Sequence, residues 1–87
     1  DQLAMGALFT LASNGIAVPG GVQVIGFDNI DEAAYFQPPL TTMDSMIDWI
    51  APTSVERILE RIGSDKPIKP KDIVRATRVI RRATTRA

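Results

Sequence analysis

The chain has 87 residues, 45% of them hydrophobic, which suits one small folded domain and argues against a disordered chain. It contains neither cysteine nor histidine. Disulfides, thiolate or imidazole metal sites, cysteine nucleophiles and histidine-based triads are therefore excluded. No apolar run is long enough to span a membrane, so we expect no membrane partner.

The charged residues are unevenly distributed, although the formal net charge is zero. All ten basic residues lie from Arg57 onward, whereas seven of the ten acidic residues precede it. A basic tail can bind nucleic acid, but this one carries no DNA-reading motif. We therefore favour a solvated helix end and a charged edge strand. The chain also opens directly on a helical pattern, as expected for a piece of a longer protein.

The first predicted element is a helix over residues 2–14, with Asp1 as its N-cap and Gly15 as its stop. Its apolar residues form two stripes. One stripe is enough to cover a sheet, so the other either sinks into a core or contacts another subunit. The first stripe contains Leu3, Ala7, Leu8 and Leu11, and the second contains Met5, Phe9 and Ala12.

A central strand is predicted over residues 22–27, where an apolar, β-branched run stops abruptly at Asp28 and Asn29. Such a run is typical of a strand buried on both faces of an α/β sheet. Ligands of these sheets bind beyond the carboxyl ends of the strands. Asp28, the first residue past that end, is therefore the first candidate for contact with a small polar molecule.

The next two elements are short. Asp31 is expected to cap one helical turn over residues 32–36, which Pro38 and Pro39 end. A second strand is predicted over residues 40–43, where two β-branched threonines stand together.

A second helix is predicted over residues 46–62, opened by a capping box of Ser45 and Asp48. Pro52 lies within it, so the helix either kinks there or begins there. After an exposed loop, a strand is predicted over residues 72–82. Arginines occur on both of its faces, so it is either an edge strand or a strand that needs surface from elsewhere.

Three blocks in this order, "IAVPGGVQVIGFDNI", "AAYFQPPLTTM" and "VIRRATT", resemble the LacI/GalR family of bacterial transcriptional regulators. The resemblance covers nearly the whole chain. It implies an α/β fragment of a periplasmic-binding-protein-like fold, a three-layer α/β/α arrangement with a mostly parallel sheet. Residues 1–87 would form the C-terminal portion of the effector-binding domain, without the first lobe and the DNA-binding domain.

The resemblance also implies a function in the cytoplasm. The carboxylate of Asp28 would bind a small-molecule effector, a sugar or a nucleobase-like metabolite, with Asn29 as a weaker candidate. The alternative for Asp28 is a cap on the following turn. A homodimer interface is expected at Met5, Phe9, Tyr35 and Phe36. DNA would be bound only through a domain absent from this chain, and no cofactor or metal is implied.

Three positions depart from the family pattern, namely Ser45, Met46 and Pro52, and they weaken any expectation of an effector contact at the start of the second helix. An extracytoplasmic sugar-binding protein of a transport system is the alternative function. An enzyme is disfavoured, because the acidic residues are scattered and no catalytic spacing is visible.

Overall fold

The computed structural model describes residues 1–86 and contains, in this part of the chain, two α-helices, one short 3-10 helix and three strands. The elements are α1 (Gln2–Ser13), β1 (Ile25–Asp28), the 3-10 helix (Asp31–Tyr35), β2 (Thr41–Asp44), α2 (Ile47–Ile62) and β3 (Arg78–Ile80). The strands form one sheet in the order β1-β2-β3, with β1 and β2 parallel and β3 antiparallel to β2. The predicted α/β class and the edge position of the last strand are confirmed.

The central strand of this sheet is β2, so the prediction of a central, doubly buried strand over residues 22–27 is wrong for the described residues. Strand β1 lies at the edge and starts only at Ile25. Ile25 is 55% exposed and Phe27 is 54% exposed, and no strand within residues 1–86 pairs with the outer side of β1. Asp28 is the last residue of β1 and not the first residue past it.

The core lies where α1, the 3-10 helix and the residue before β2 meet, and its buried residues are Leu8, Ala33 and Leu40. The predicted first stripe of α1 is only partly correct. Leu8 is buried, but Leu3 is 92% exposed, while Ala4 packs against the core. Ala4 and Leu8 are four residues apart, so the buried face of the helix is rotated by one position from the predicted one.

One predicted helix cap is partly correct and one is wrong. Asp1 is the N-cap residue of α1, as predicted, but its side chain makes no capping bond to the helix. The carboxylate instead accepts from Thr42 Oγ1 at 2.6 Å and from the Ile30 N–H at 2.9 Å. Helix α2 begins after Met46, which adopts a left-handed backbone, and Ser45 Oγ donates to the Asp28 carbonyl at 3.2 Å. The Asp1 carboxylate and the Ser45 hydroxyl, which were predicted to cap the two helices, therefore form hydrogen bonds with a strand or loop of unit 1.

Three further local predictions concern the cap of the 3-10 helix, the place of Pro52 and the length of the last strand. The N-cap of the 3-10 helix is Ile30 and not Asp31, and no side chain caps this turn. Pro52 lies inside α2, so the alternative start of the helix at Pro52 is wrong. Only Arg78–Ile80 of the predicted strand over residues 72–82 is a strand, and residues 72–77 have no regular secondary structure.

Buried threonines join the segment after β3 to the first two strands. Thr84 Oγ1 accepts from the Thr41 N–H at 2.8 Å and donates to the Val24 carbonyl at 2.7 Å. Thr41 and Thr84 are almost completely buried. Buried hydroxyls are stable only when they are hydrogen-bonded, so this network fixes the chain end against β1 and β2.

The chain divides into two compact units. Unit 1 contains residues 1–45 together with the residues from Thr77 onward, and unit 2 contains residues 46–76. In unit 2 no residue of α2 is buried, and Arg75 lies over the Trp49 ring at 5.6 Å from its centroid. Among residues 1–86, the structure contains no helix with the length and apolar character needed to cross a membrane.

Candidate functional site

The carboxyl ends of β1 and β2 lie side by side because these two strands are parallel. The register pairs Asp28 with Asp44, and β3 places Arg78 opposite Asp44. Arg78 Nε lies 3.3 Å from Asp44 Oδ2, which joins the outer strand to the centre of the sheet by an ion pair. The sequence singled out Asp28 but neither Asp44 nor Arg78. Their proximity depends on strand register, which the sequence pattern does not reveal.

Asp28 is exposed and has an unusual backbone. Its φ of 111° lies in the region that L side chains rarely adopt. Its carbonyl accepts from Ser45 Oγ, whereas within residues 1–86 its carboxylate has no hydrogen bond or ion pair. It does not cap the following 3-10 helix, whose N-cap is Ile30 and which has no side-chain cap. Backbone strain of this kind concentrates at functional sites, and the carboxylate here is open to a ligand.

Asn29 has a structural role in this arrangement. It adopts a left-handed backbone with φ 56°, and its N–H donates to Thr42 Oγ1 at 3.3 Å. Its side-chain oxygen accepts from Arg82 Nη2 at 2.9 Å. The side-chain NH₂ group of Asn29 has no partner within residues 1–86, so only this group is open to a ligand contact.

Arg82 contacts the candidate site but was not predicted from the sequence to do so. The arginines at the end of the chain were expected to be surface charges of an edge strand. Arg82 is instead half-buried, with Nη1 donating to the Leu40 carbonyl at 2.8 Å and Nη2 donating to Asn29. No local pattern distinguishes it from its neighbour Arg81, which is exposed.

The four residues predicted for the dimer interface differ in exposure. Phe9 is 75% exposed, Met5 is 49% exposed and Tyr35 is 85% exposed. Phe36 is half-buried and packs against the core. The structure therefore leaves three of the four side chains available to another surface, while Phe36 stabilises unit 1 itself.

Of the positions that depart from the family pattern, Ser45 and Met46 lie between β2 and α2, and Pro52 lies inside α2. Ser45 uses its hydroxyl to hold the Asp28 carbonyl, and Met46 has a left-handed backbone. Within the described residues no group of three or more acidic side chains forms a cluster suited to a metal ion.

Residues 1–85 match the family model described as "Periplasmic binding protein-like domain", and the chain belongs to this family. It is 39% identical over 83 residues to the HTH-type transcriptional repressor PurR of Vibrio parahaemolyticus, which covers 88% of this chain and 25% of that protein. The chain thus spans about a quarter of the length of this curated relative.

Solved structures of regulators superpose on the chain. A LacI-family transcriptional regulator from Enterococcus faecalis with bound ribose gives a TM-score of 0.85 at 31% identity, over 98% of this chain and 32% of that one. The lac repressor dimer bound to operator and the anti-inducer ONPF gives 0.83 at 28% identity, over 100% of this chain and 30% of that one. The predicted resemblance to the LacI/GalR regulators and the predicted fold are confirmed.

Proposed function

We propose that residues 1–87 are the C-terminal portion of the effector-binding domain of a LacI/GalR-type transcriptional regulator. The match of residues 1–85 to the family, with transcriptional repressors as relatives, carries this proposal. The whole protein would act in the cytoplasm and bind DNA through a domain absent from this chain. Because the relatives are repressors, we favour this function over a transport-linked sugar-binding protein and over an enzyme.

The proposed effector contact is Asp28. Its carboxylate is exposed at the carboxyl end of β1 and lacks a partner within residues 1–86, whereas its carbonyl is held by Ser45. An ionised carboxylate accepts hydroxyl or N–H donors in charge-assisted hydrogen bonds. This chemistry fits a sugar or a nucleobase-like metabolite. Asn29 is a weaker contact, because Arg82 already occupies its oxygen.

A thermal-shift screen of the full-length protein with D-ribose, related pentoses and free nucleobases tests the effector proposal. A compound that binds should raise the melting temperature, because it binds only the folded state. Asp28→Ala should weaken binding about 10- to 100-fold, the loss expected for one charge-assisted hydrogen bond. Asp31→Ala, an exposed acid three residues along, is the matched control and should leave the shift unchanged. Equal shifts in wild type and Asp28→Ala would contradict the assignment.

The proposed homodimer interface includes Met5, Phe9 and Tyr35. All three side chains are large and exposed. Exposed apolar patches mark interaction sites, and a two-fold dimer uses the same surface of both subunits. Met5→Glu should weaken the dimer about 100-fold or more, because a buried, unpaired carboxylate costs several kcal/mol. Sedimentation of the full-length protein would measure this.

Gln2→Glu is the control for that experiment, because it adds the same charge to an exposed position of the same helix. Dimers of unchanged affinity in the Met5→Glu variant would place the interface elsewhere.

A further inference from the structure

Three backbone polar groups at the end of β1 and in the loop after it are held by side chains from elsewhere in unit 1. Ser45 Oγ holds the Asp28 carbonyl at 3.2 Å, and Thr42 Oγ1 accepts from the Asn29 N–H at 3.3 Å. The Ile30 N–H donates to Asp1 Oδ2 at 2.9 Å. Two consecutive non-glycine residues with positive φ persist only when the surroundings determine their conformation. The positive φ values of Asp28 and Asn29 therefore require stabilising contacts from neighbouring residues.

Arg82 contacts the same loop from a distant part of the chain, 53 residues after Asn29. Its N–H donates to Thr41 Oγ1 at 2.9 Å, which fixes its backbone against the central strand. Its guanidinium then bridges the Leu40 carbonyl at 2.8 Å and Asn29 Oδ1 at 2.9 Å. A planar guanidinium can hold two acceptors at once with charge-assisted bonds, which a lysine cannot do with the same geometry.

We propose that Arg82 is a positioning residue for the candidate ligand site. It fixes Asn29 and thereby the direction of the Asp28 carboxylate before any ligand binds. The carboxylate then needs little ordering on binding, so the loss of conformational entropy is reduced. The assignment rests on the proposed function only where it treats Asp28 as a ligand contact. The geometric coupling of Arg82 to the loop is independent of that.

Hydrogen–deuterium exchange of the full-length protein without any ligand tests the coupling. Arg82→Met keeps the aliphatic stem but removes all donors, and it should speed exchange of the Asn29 and Ile30 amides about tenfold. Amides of Met43 and Asp44 in β2 should change much less. Arg82→Lys should give an intermediate increase, because one ammonium cannot hold both acceptors in the fork geometry.

Arg81→Met is the matched control, since it removes the same group from the adjacent, exposed position. It should leave loop exchange unchanged. Asn29→Asp keeps an oxygen acceptor and tolerates positive φ, so it should retain slow exchange when Arg82 is present. Equal acceleration in the loop and in β2 would show a general structural role and overturn the proposal. No acceleration in Arg82→Met would overturn it as well.

Calorimetric titration with D-ribose separates this proposal from the proposed function. If wild type binds D-ribose, Arg82→Met should weaken binding about tenfold, and Arg81→Met should not. Unchanged affinity in Arg82→Met would contradict the positioning role. If wild type does not bind D-ribose, the choice of that sugar fails, whereas the exchange experiment still decides whether Arg82 positions the loop.

Discussion

Units 1 and 2 each contain one α-helix, but the two helices differ in how far they are buried. In unit 1, α1 packs against β1 and buries Leu8 to 5% exposure. In unit 2, α2 buries none of its residues, and Ile58 and Ile62 are 57% and 74% exposed. An apolar stripe predicts which face of a helix can be buried, but the face is buried only where another element, such as a sheet, packs against it. Unit 1 contains such a sheet, whereas residues 46–76 of unit 2 contain no strand.

The same difference explains where the candidate site lies. Unit 1 combines a sheet with buried threonine hydroxyls and Arg82, which hold the loop around Asp28. Binding sites on rigid elements are more precise than sites on unsupported segments. In unit 2 the polar contacts are surface ones, such as the ion pair of Arg57 with Glu60, and such pairs stabilise little.

The contrast between the cores predicts the largest effect. Leu40→Ala should lower the free energy of unfolding of the full-length protein by about 2–5 kcal/mol, because Leu40 is completely buried. Ile62→Ala, at an exposed position of α2, should cost less than about 0.5 kcal/mol. Urea unfolding would measure both. A loss at Ile62 as large as that at Leu40 would break the comparison and show that a surface outside residues 1–86 covers α2.

A smaller effect is predicted for two glycines of unit 1. A Cβ at Gly26 would meet the Asp1 carboxylate and lie 2.8 Å from Leu40 Cδ2, so Gly26→Ala should cost about 1–3 kcal/mol of the free energy of unfolding. A Cβ at Gly6 would have no neighbour within 4 Å. Gly6→Ala should therefore stabilise α1 by about 0.5–1 kcal/mol. If both substitutions changed the free energy of unfolding equally in urea unfolding, close packing around Gly26 in β1 would not explain the effect of Gly26→Ala.

Much of the fold could be predicted because it depends on local signals. The predicted end of α1 at residue 14 lies one residue beyond the observed end at Ser13, and α2 starts at Ile47, one residue after the predicted start. The apolar run before Asp28 correctly placed that residue at a strand end. Periodicity and stop residues carry this information over a few neighbouring positions.

The rest depends on contacts between distant residues. Asp1 bonds Thr42, 41 residues along the chain, in place of its own helix. Arg82 bonds Asn29 across 53 residues. The edge position of β1 also depends on distant residues, because it is set by the order in which the strands pair in the sheet. No spacing rule reveals these pairings, so the position of the N-cap at Asp1 was predicted but the partners of its side chain were not, and the surface role assigned to Arg82 was wrong.

The most direct test of the central account is the affinity of the full-length protein for the compound found in the thermal screen, measured by calorimetry with Asp28→Asn. Asparagine keeps the size of the side chain and tolerates positive φ, so only the charge and one acceptor are lost. The account predicts binding weakened about tenfold or more with an unchanged dimer. Binding as tight as in wild type would contradict the placement of the ligand at the carboxyl end of β1.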